Sequence, residues 1–135
     1  MIFGIGIDIA KCGRFAKWLK EPNMLERFFN SKEILEKTKA GAAPTPAQES
    51  SSLQHYAARF AAKEAFSKAL GTGLLFDLRD VWIENEDGGK PALKLAGSAL
   101  ELFKKRCKEW QEAKIFVSLS HEKEYAAAQV VIEIP

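Results

Sequence analysis

The stretch RFAAKEAFSKALGTG, Arg59 to Gly73, sets a glutamate and a lysine one helical turn apart. Its apolar spacing predicts a helix over roughly 51–70, with Gly71 and Gly73 as stop signals. On an ideal helix with Leu53 at zero, Phe60 falls at roughly 340°, Glu64 at roughly 20° and Lys68 at roughly 60°. On a solvated face such a pair is worth a few tenths of a kcal/mol and needs no further purpose. On an apolar stripe an unpartnered carboxylate is costly, and a metal ion, a phosphate or buried water would relieve it. A second carboxylate, Asp8, follows two glycines in the alternating run MIFGIGIDIA. Glycines inside a strand mark close approach of a ligand or of another backbone. Asp8 alone also reads as a cap for whatever helix follows. Taken together, Asp8 and Glu64 could hold Mg²⁺, with phosphate oxygens and water completing its octahedron.

Other positions carry chemistry more weakly. His121 follows VSLS, and Ser118 and Ser120 share a strand face before it; an exposed turn histidine is the alternative. Lys90 in GGKP could meet a phosphate or simply be a solvated turn lysine. Segment 11–20 holds Lys11, Arg14, Lys17 and Lys20 without an acid, opposite Cys12, Phe15 and Leu19, with Trp18 at the border. That pattern is either a solvated basic face or a dock for an acidic protein, anchored by Arg and Trp. No phosphate loop or dinucleotide fingerprint occurs, and GIGID has its glycines in the wrong order for one.

These residues need a scaffold, and 135 residues with 47% hydrophobic content support one domain with a real core. A net charge of +2 argues against nucleic acid as partner. No apolar run approaches the roughly 18 residues of a membrane span, and no leader signal is evident. Cys12 and Cys107 stand alone, which fits free thiols in a reducing cytoplasm. Along the chain we expect a strand at 1–10, a short helix over 11–20, a turn of helix at 24–29, and a helix from an Asn30 or Ser31 cap to about Lys39. AGAAPTPAQESSS (40–52) reads as a mobile loop. After the long helix come two strands, DVWIEN and PALKLA, about the turn EDGGKP. A helix over 97–112 follows, with Leu100, Phe103 and Cys107 inward. KIFVSLS and YAAAQVVIEI form a last hairpin about HEKE. The order β-α-α-α-β-β-α-β-β is an α+β single domain with a mixed or largely antiparallel sheet and a long central helix.

Three motifs, GIGIDI, RFAAKEAFSKALGTG and VSLSHEKEYAAAQVVIE, with GKP between the last two, resemble holo-[acyl-carrier-protein] synthases, the short bacterial family of 4′-phosphopantetheinyl transferases. The likeness spans nearly the whole chain; loop 40–52 and AKCG after Asp8 depart from it. The resemblance implies that fold and transfer of the 4′-phosphopantetheine arm of coenzyme A to a serine of apo-acyl carrier protein, releasing 3′,5′-ADP. It implies Asp8 and Glu64 as Mg²⁺ ligands and, with Lys68, as catalytic groups. Lys68, Arg59, Gly71, Lys90, Pro91 and His121 match the coenzyme A site, and Arg14, Trp18 and Arg27 the carrier-protein dock. It also implies a cytoplasmic homotrimer with interfacial active sites, serving fatty acid biosynthesis. The same motifs would serve a carrier domain of a secondary-metabolite synthase. A non-catalytic coenzyme A or carrier-binding module is the reading from another class, and the joint presence of Asp8, Glu64 and Lys68 speaks against it.

Overall fold

Strand β1 (Ile2–Lys11) alternates as its sequence requires, but its apolar face is turned outward. Ile5, Ile7 and Ile9 are 59%, 64% and 66% exposed, whereas Gly6 and Ala10 are buried. Phe3 leaves the isoleucine face and packs on the core, because the register slips between Ile2 and Gly4. The computed structural model describes residues 1–39 and 43–135. Chain order then gives α1 (Ala16–Lys20), α2 (Pro22–Phe28), α3 (Pro46–Leu70), β2 (Val81–Asn85), β3 (Pro91–Leu95), α4 (Gly97–Arg106), β4 (Lys114–His121) and β5 (Tyr125–Glu133). Both sheets are antiparallel: a three-stranded one ordered β1-β5-β4 and the hairpin β2-β3. The α+β architecture is as expected.

Helix α3 is the spine. The inner faces of β1 and β5 lie on it, and Ala126, Ala128, Val130 and Ile132 of β5 are buried there. The two strand glycines explain how close β1 comes. A methyl group on Gly4 would sit 1.9 Å from the Ala69 carbonyl oxygen, and one on Gly6 1.9 Å from that of Ala65. The backbone that approaches these glycines is therefore the helix itself. Ala65 and Ala69, one turn apart, offer it a shallow groove.

Several boundaries differ from the sequence expectation. Helix α3 begins at Pro46, so 46–52 are its first two turns and not a loop. Thr45 and Gln48 form a reciprocal capping box, and Pro46 opens the helix where its missing N–H costs nothing. Residues 40–42 lie outside the described residues. Segment 31–39 is two 3₁₀ turns, Ser31–Glu33 and Glu36–Thr38, rather than one helix. The Asn30 cap is present, but the Tyr56 hydroxyl takes the Leu35 N–H and meets the Thr38 hydroxyl, drawing the backbone into another path. Segment 11–20 divides into the end of β1, a 3₁₀ turn (Cys12–Phe15) and α1. Helix α4 stops at Arg106, and Cys107 is its buried cap. His121 is the last residue of β4 and not part of the turn.

Candidate active site

Of residues 61–70 in α3, only Glu64 and Lys68 reach solvent. The second half of α3 is otherwise buried, and this charged edge is where it opens to solvent. The strand alternation that sets Gly4 and Gly6 against Ala69 and Ala65 carries Asp8 to the same edge. Lys68 Nζ donates to Asp8 Oδ1 at 3.1 Å and to the Ile7 carbonyl oxygen at 2.9 Å. The lysine therefore bridges helix and strand and is not paired with Glu64. Burial pushes the Glu64 carboxyl above its ordinary range, and the Asp8 charge pushes it further; Lys68 and Arg14 act against both. The edge thus gathers two carboxylates and two cations drawn from β1, the 3₁₀ turn after it and α3.

The donor set decides which cation such an edge suits. Asp8 and Glu64 are hard oxygen donors, and among the described residues no set of three or more His, Cys, Asp or Glu is placed to hold a metal ion. A closed protein cage for Zn²⁺ or Ca²⁺ is absent there. Two carboxylates with room for water and phosphate oxygens fit Mg²⁺.

Arg14, Trp18 and Arg27 meet over one aromatic cluster. The Arg14 guanidinium lies 4.7 Å from the Phe60 ring centroid. Trp18 stacks on Phe28 at 4.9 Å, and Arg27 lies 5.7 Å from that same ring. Cations on an apolar platform, next to the carboxylate edge, make a surface suited to an acidic protein.

Arg59 faces elsewhere. With Lys32, His55, Ile83, Glu84 and Asn85 it lines an open cleft of about 550 Å³ between α3 and β2. Its buried Nε has no partner among the described residues. Pro91 pairs with Asn85 on the cleft's strand side, and Lys90 is exposed beside it. His121 Nδ1 lies 2.7 Å from Gln54 Oε1 on the first half of α3. Gly71, with φ of 74°, is the left-handed cap of α3. The structure thus joins Asp8, Glu64, Lys68 and Arg14, and sets Arg59 and His121 further along the helix.

Three residues went unnoticed in the sequence. Lys63 and Glu33 form a fully buried ion pair at 2.6 Å, with exposures of 1% and 0%. Lys63 is i+4 from Arg59 and i+7 from Tyr56, a helical-face signal that could have marked it. His55 Nε2 lies 2.6 Å from the Glu33 carbonyl oxygen. Burial first, then the Arg59 charge, lowers its pKa to about 4. Between about pH 6.5 and 4 the unfolded chain takes a proton that the folded chain refuses. Stability should therefore fall on acidification through that window, by on the order of 3 kcal/mol. Urea midpoints at pH 7 and pH 4 measure this, and His55→Gln should flatten the slope while keeping a donor for the Glu33 carbonyl oxygen.

Comparison with known proteins gives the family of the chain. The model of the 4′-phosphopantetheinyl transferase superfamily matches residues 4–130. The holo-[acyl-carrier-protein] synthase of Treponema denticola is 47% identical, covering 98% of this chain and 99% of that protein. Its counterpart from Geobacter metallireducens is 46% identical, covering 98% of each. A holo-(acyl-carrier-protein) synthase from Bacillus anthracis, crystallised in complex with CoA (3′,5′-ADP), superposes with a TM-score of 0.72 at 36% identity, over 100% of this chain and 99% of that one. Matched along almost its whole length by both sequence and fold, the chain belongs to the 4′-phosphopantetheinyl transferase superfamily.

Proposed function

We propose that this chain transfers the 4′-phosphopantetheine arm of coenzyme A to a serine of an apo acyl carrier protein. The observation that carries this reading is the convergence of Asp8, Glu64 and Lys68 on one edge, at the only two residues of 61–70 that reach solvent. The serine oxygen bonds to the phosphorus that bears the pantetheine. The bond from that phosphorus to the bridging oxygen breaks, and 3′,5′-ADP leaves with that oxygen. Asp8 and Glu64 would hold Mg²⁺, which supplies positive charge to the diphosphate when bound. Lys68 is a cation at the same edge, half exposed at 54%, and would shift from Asp8 to the phosphate oxygens. Glu64, whose carboxylate has no hydrogen-bond partner among the described residues, would take the serine proton. Arg59, Lys90 and Pro91 would contact coenzyme A along the α3–β2 cleft, and Gly71 at the helix end.

We place the active site between copies in a homotrimer. Two observations support this. Ile5, Ile7 and Ile9 form an apolar sheet face with Phe116 and Val131 beside them, and a single chain leaves it in water. Gln54, on which His121 rests, lies ten residues from Glu64, about 15 Å along the helix. A neighbouring copy would bring a His121 to the diphosphate more directly. Both cysteines are free and buried, in keeping with a cytoplasmic setting. No helix among the described residues is long and apolar enough to cross a membrane.

Native mass spectrometry after incubation with coenzyme A, Mg²⁺ and apo carrier tests both parts. The carrier should gain the mass of the phosphopantetheine arm, and the enzyme should run at three chain masses. Binding of coenzyme A with no gain on any apo carrier, from fatty acid or secondary-metabolite synthesis, overturns the transferase reading. Arg14→Glu should raise the KM for carrier at least tenfold at low salt and leave that for coenzyme A within twofold. An unchanged carrier KM removes Arg14 from the dock.

A further inference from the structure

The buried ion pair has no part in the chemistry just described, yet it is heavily built. Lys63 Nζ donates to Glu33 Oε1 at 2.6 Å, to the Leu78 carbonyl oxygen at 3.0 Å, and to the Val81 carbonyl oxygen. Its charge also lies 5.4 Å from the Phe29 ring centroid. Glu33 accepts from the backbone N–H of Asn30 and of Ile83 at 3.1 Å each. One lysine thereby ties α3 to the segment before it and to the start of β2. Every polar atom of the pair is aimed at a backbone group or at its partner. Buried pairs rarely add net stability over apolar residues of the same size; this one also satisfies the backbone N–H groups of Asn30 and Ile83, so stability is a partial account of it.

Its place in the chain supplies a better one. Lys63 directly precedes Glu64, and Ala65 directly follows. Successive helical residues are separated by about 100°, so Lys63 and Ala65 flank Glu64 on the two sides of the helix. On one side the hydrogen bonds of Lys63 hold α3. On the other, the Ala65 carbonyl lies against Gly6, where not even a methyl group fits. Glu64 projects between these two clamps. A helix side chain ends about 5–6 Å from the axis, so a 10° turn of α3 would carry the Glu64 carboxylate about 1 Å. A misplacement of that size can cost about a hundredfold in rate.

We propose that the Glu33–Lys63 pair is a positioning device for Glu64: it fixes the rotation of α3 about its axis, and with it the direction of the reacting carboxylate. This rests on the transferase reading, and wild-type turnover measured alongside separates failure of one from failure of the other. The test is the double variant E33L/K63M, which replaces the pair with apolar side chains of similar size. At a temperature well below its melting midpoint, kcat should fall between tenfold and a hundredfold. The KM values for coenzyme A and for carrier should stay within twofold. Wild-type kcat in the folded double variant overturns the proposal. So does a rise of both KM values in step with a lower melting temperature, since that marks general loosening. Glu33→Gln is the second variant, should the double variant not fold. It keeps an oxygen for Ile83 and loses the charge, and kcat should fall several-fold with both KM values held. If neither variant folds, the pair is a folding element and the positioning role is wrong.

Discussion

Glu64→Gln should lower kcat by about a thousandfold, within the range that loss of a positioned proton acceptor produces, with the fold intact. The Glu64 carboxylate makes no hydrogen bond or ion pair among the described residues, so the amide breaks nothing. The sign of the stability change follows from its titration. Burial and the Asp8 charge raise its pKa, so the folded chain holds this proton more tightly than the unfolded chain does. At neutral pH, where the group is ionised in both states, that difference works against folding; it is relieved as pH falls through the raised value. Removing the charge should leave the melting temperature unchanged or slightly higher at pH 7. A mass assay of carrier conversion, paired with a thermal melt, reads both. Full turnover in the variant would remove Glu64 from the reaction, and a collapsed melting temperature would mean that the carboxylate has a structural partner.

Gly6→Ala should destabilise the chain by about 3 kcal/mol or more, the upper range for overpacking. The added methyl would lie 1.9 Å from the Ala65 carbonyl oxygen and 2.8 Å from the Ala69 nitrogen, both backbone atoms that cannot swing aside. Strand and helix must part, and the Asp8–Lys68 contact parts with them. Gly13→Ala is the matched control. Its φ is ordinary and nothing lies within 4 Å of the new methyl, so stability should change by less than about 0.5 kcal/mol. Urea unfolding of the pair of variants makes the comparison. Equal midpoints would mean that β1 tolerates separation from α3.

The two glycine positions also show how far a sequence carries. The alternation in β1 and the stop at Gly71 follow from local spacing, and the structure keeps the stop and, from Gly4 onward, the alternation. The closeness implied by Gly4 and Gly6 was legible too, but not its occupant. A ligand and a helix backbone leave the same mark on a strand. The start of α3 was missed because 46–52 carries almost no apolar residue, although Thr45, Pro46 and Gln48 spell a capping box. Lys63 and Glu33 were missed for a deeper reason. A lysine on a helix looks alike whether it faces water or the core, and thirty positions separate this one from its partner. Conversely, Glu64 and Lys68 read as a pair on an apolar stripe, whereas the ion pair of Lys68 in the structure is with Asp8.

The seam of Gly4, Gly6, Ala65 and Ala69 has an entropic consequence. None of these residues has a side-chain rotamer to lose on folding, so the contact forms without the ordering cost of a leucine or methionine interface. The cost falls instead on the unfolded chain, where each strand glycine has more freedom to surrender, by roughly 0.5–1 kcal/mol relative to alanine. In return, the folded joint has no side chain that can hop between rotamers. Strand and helix meet backbone to backbone, and the separation of Asp8 from Glu64 is set by atoms with no alternative place to go.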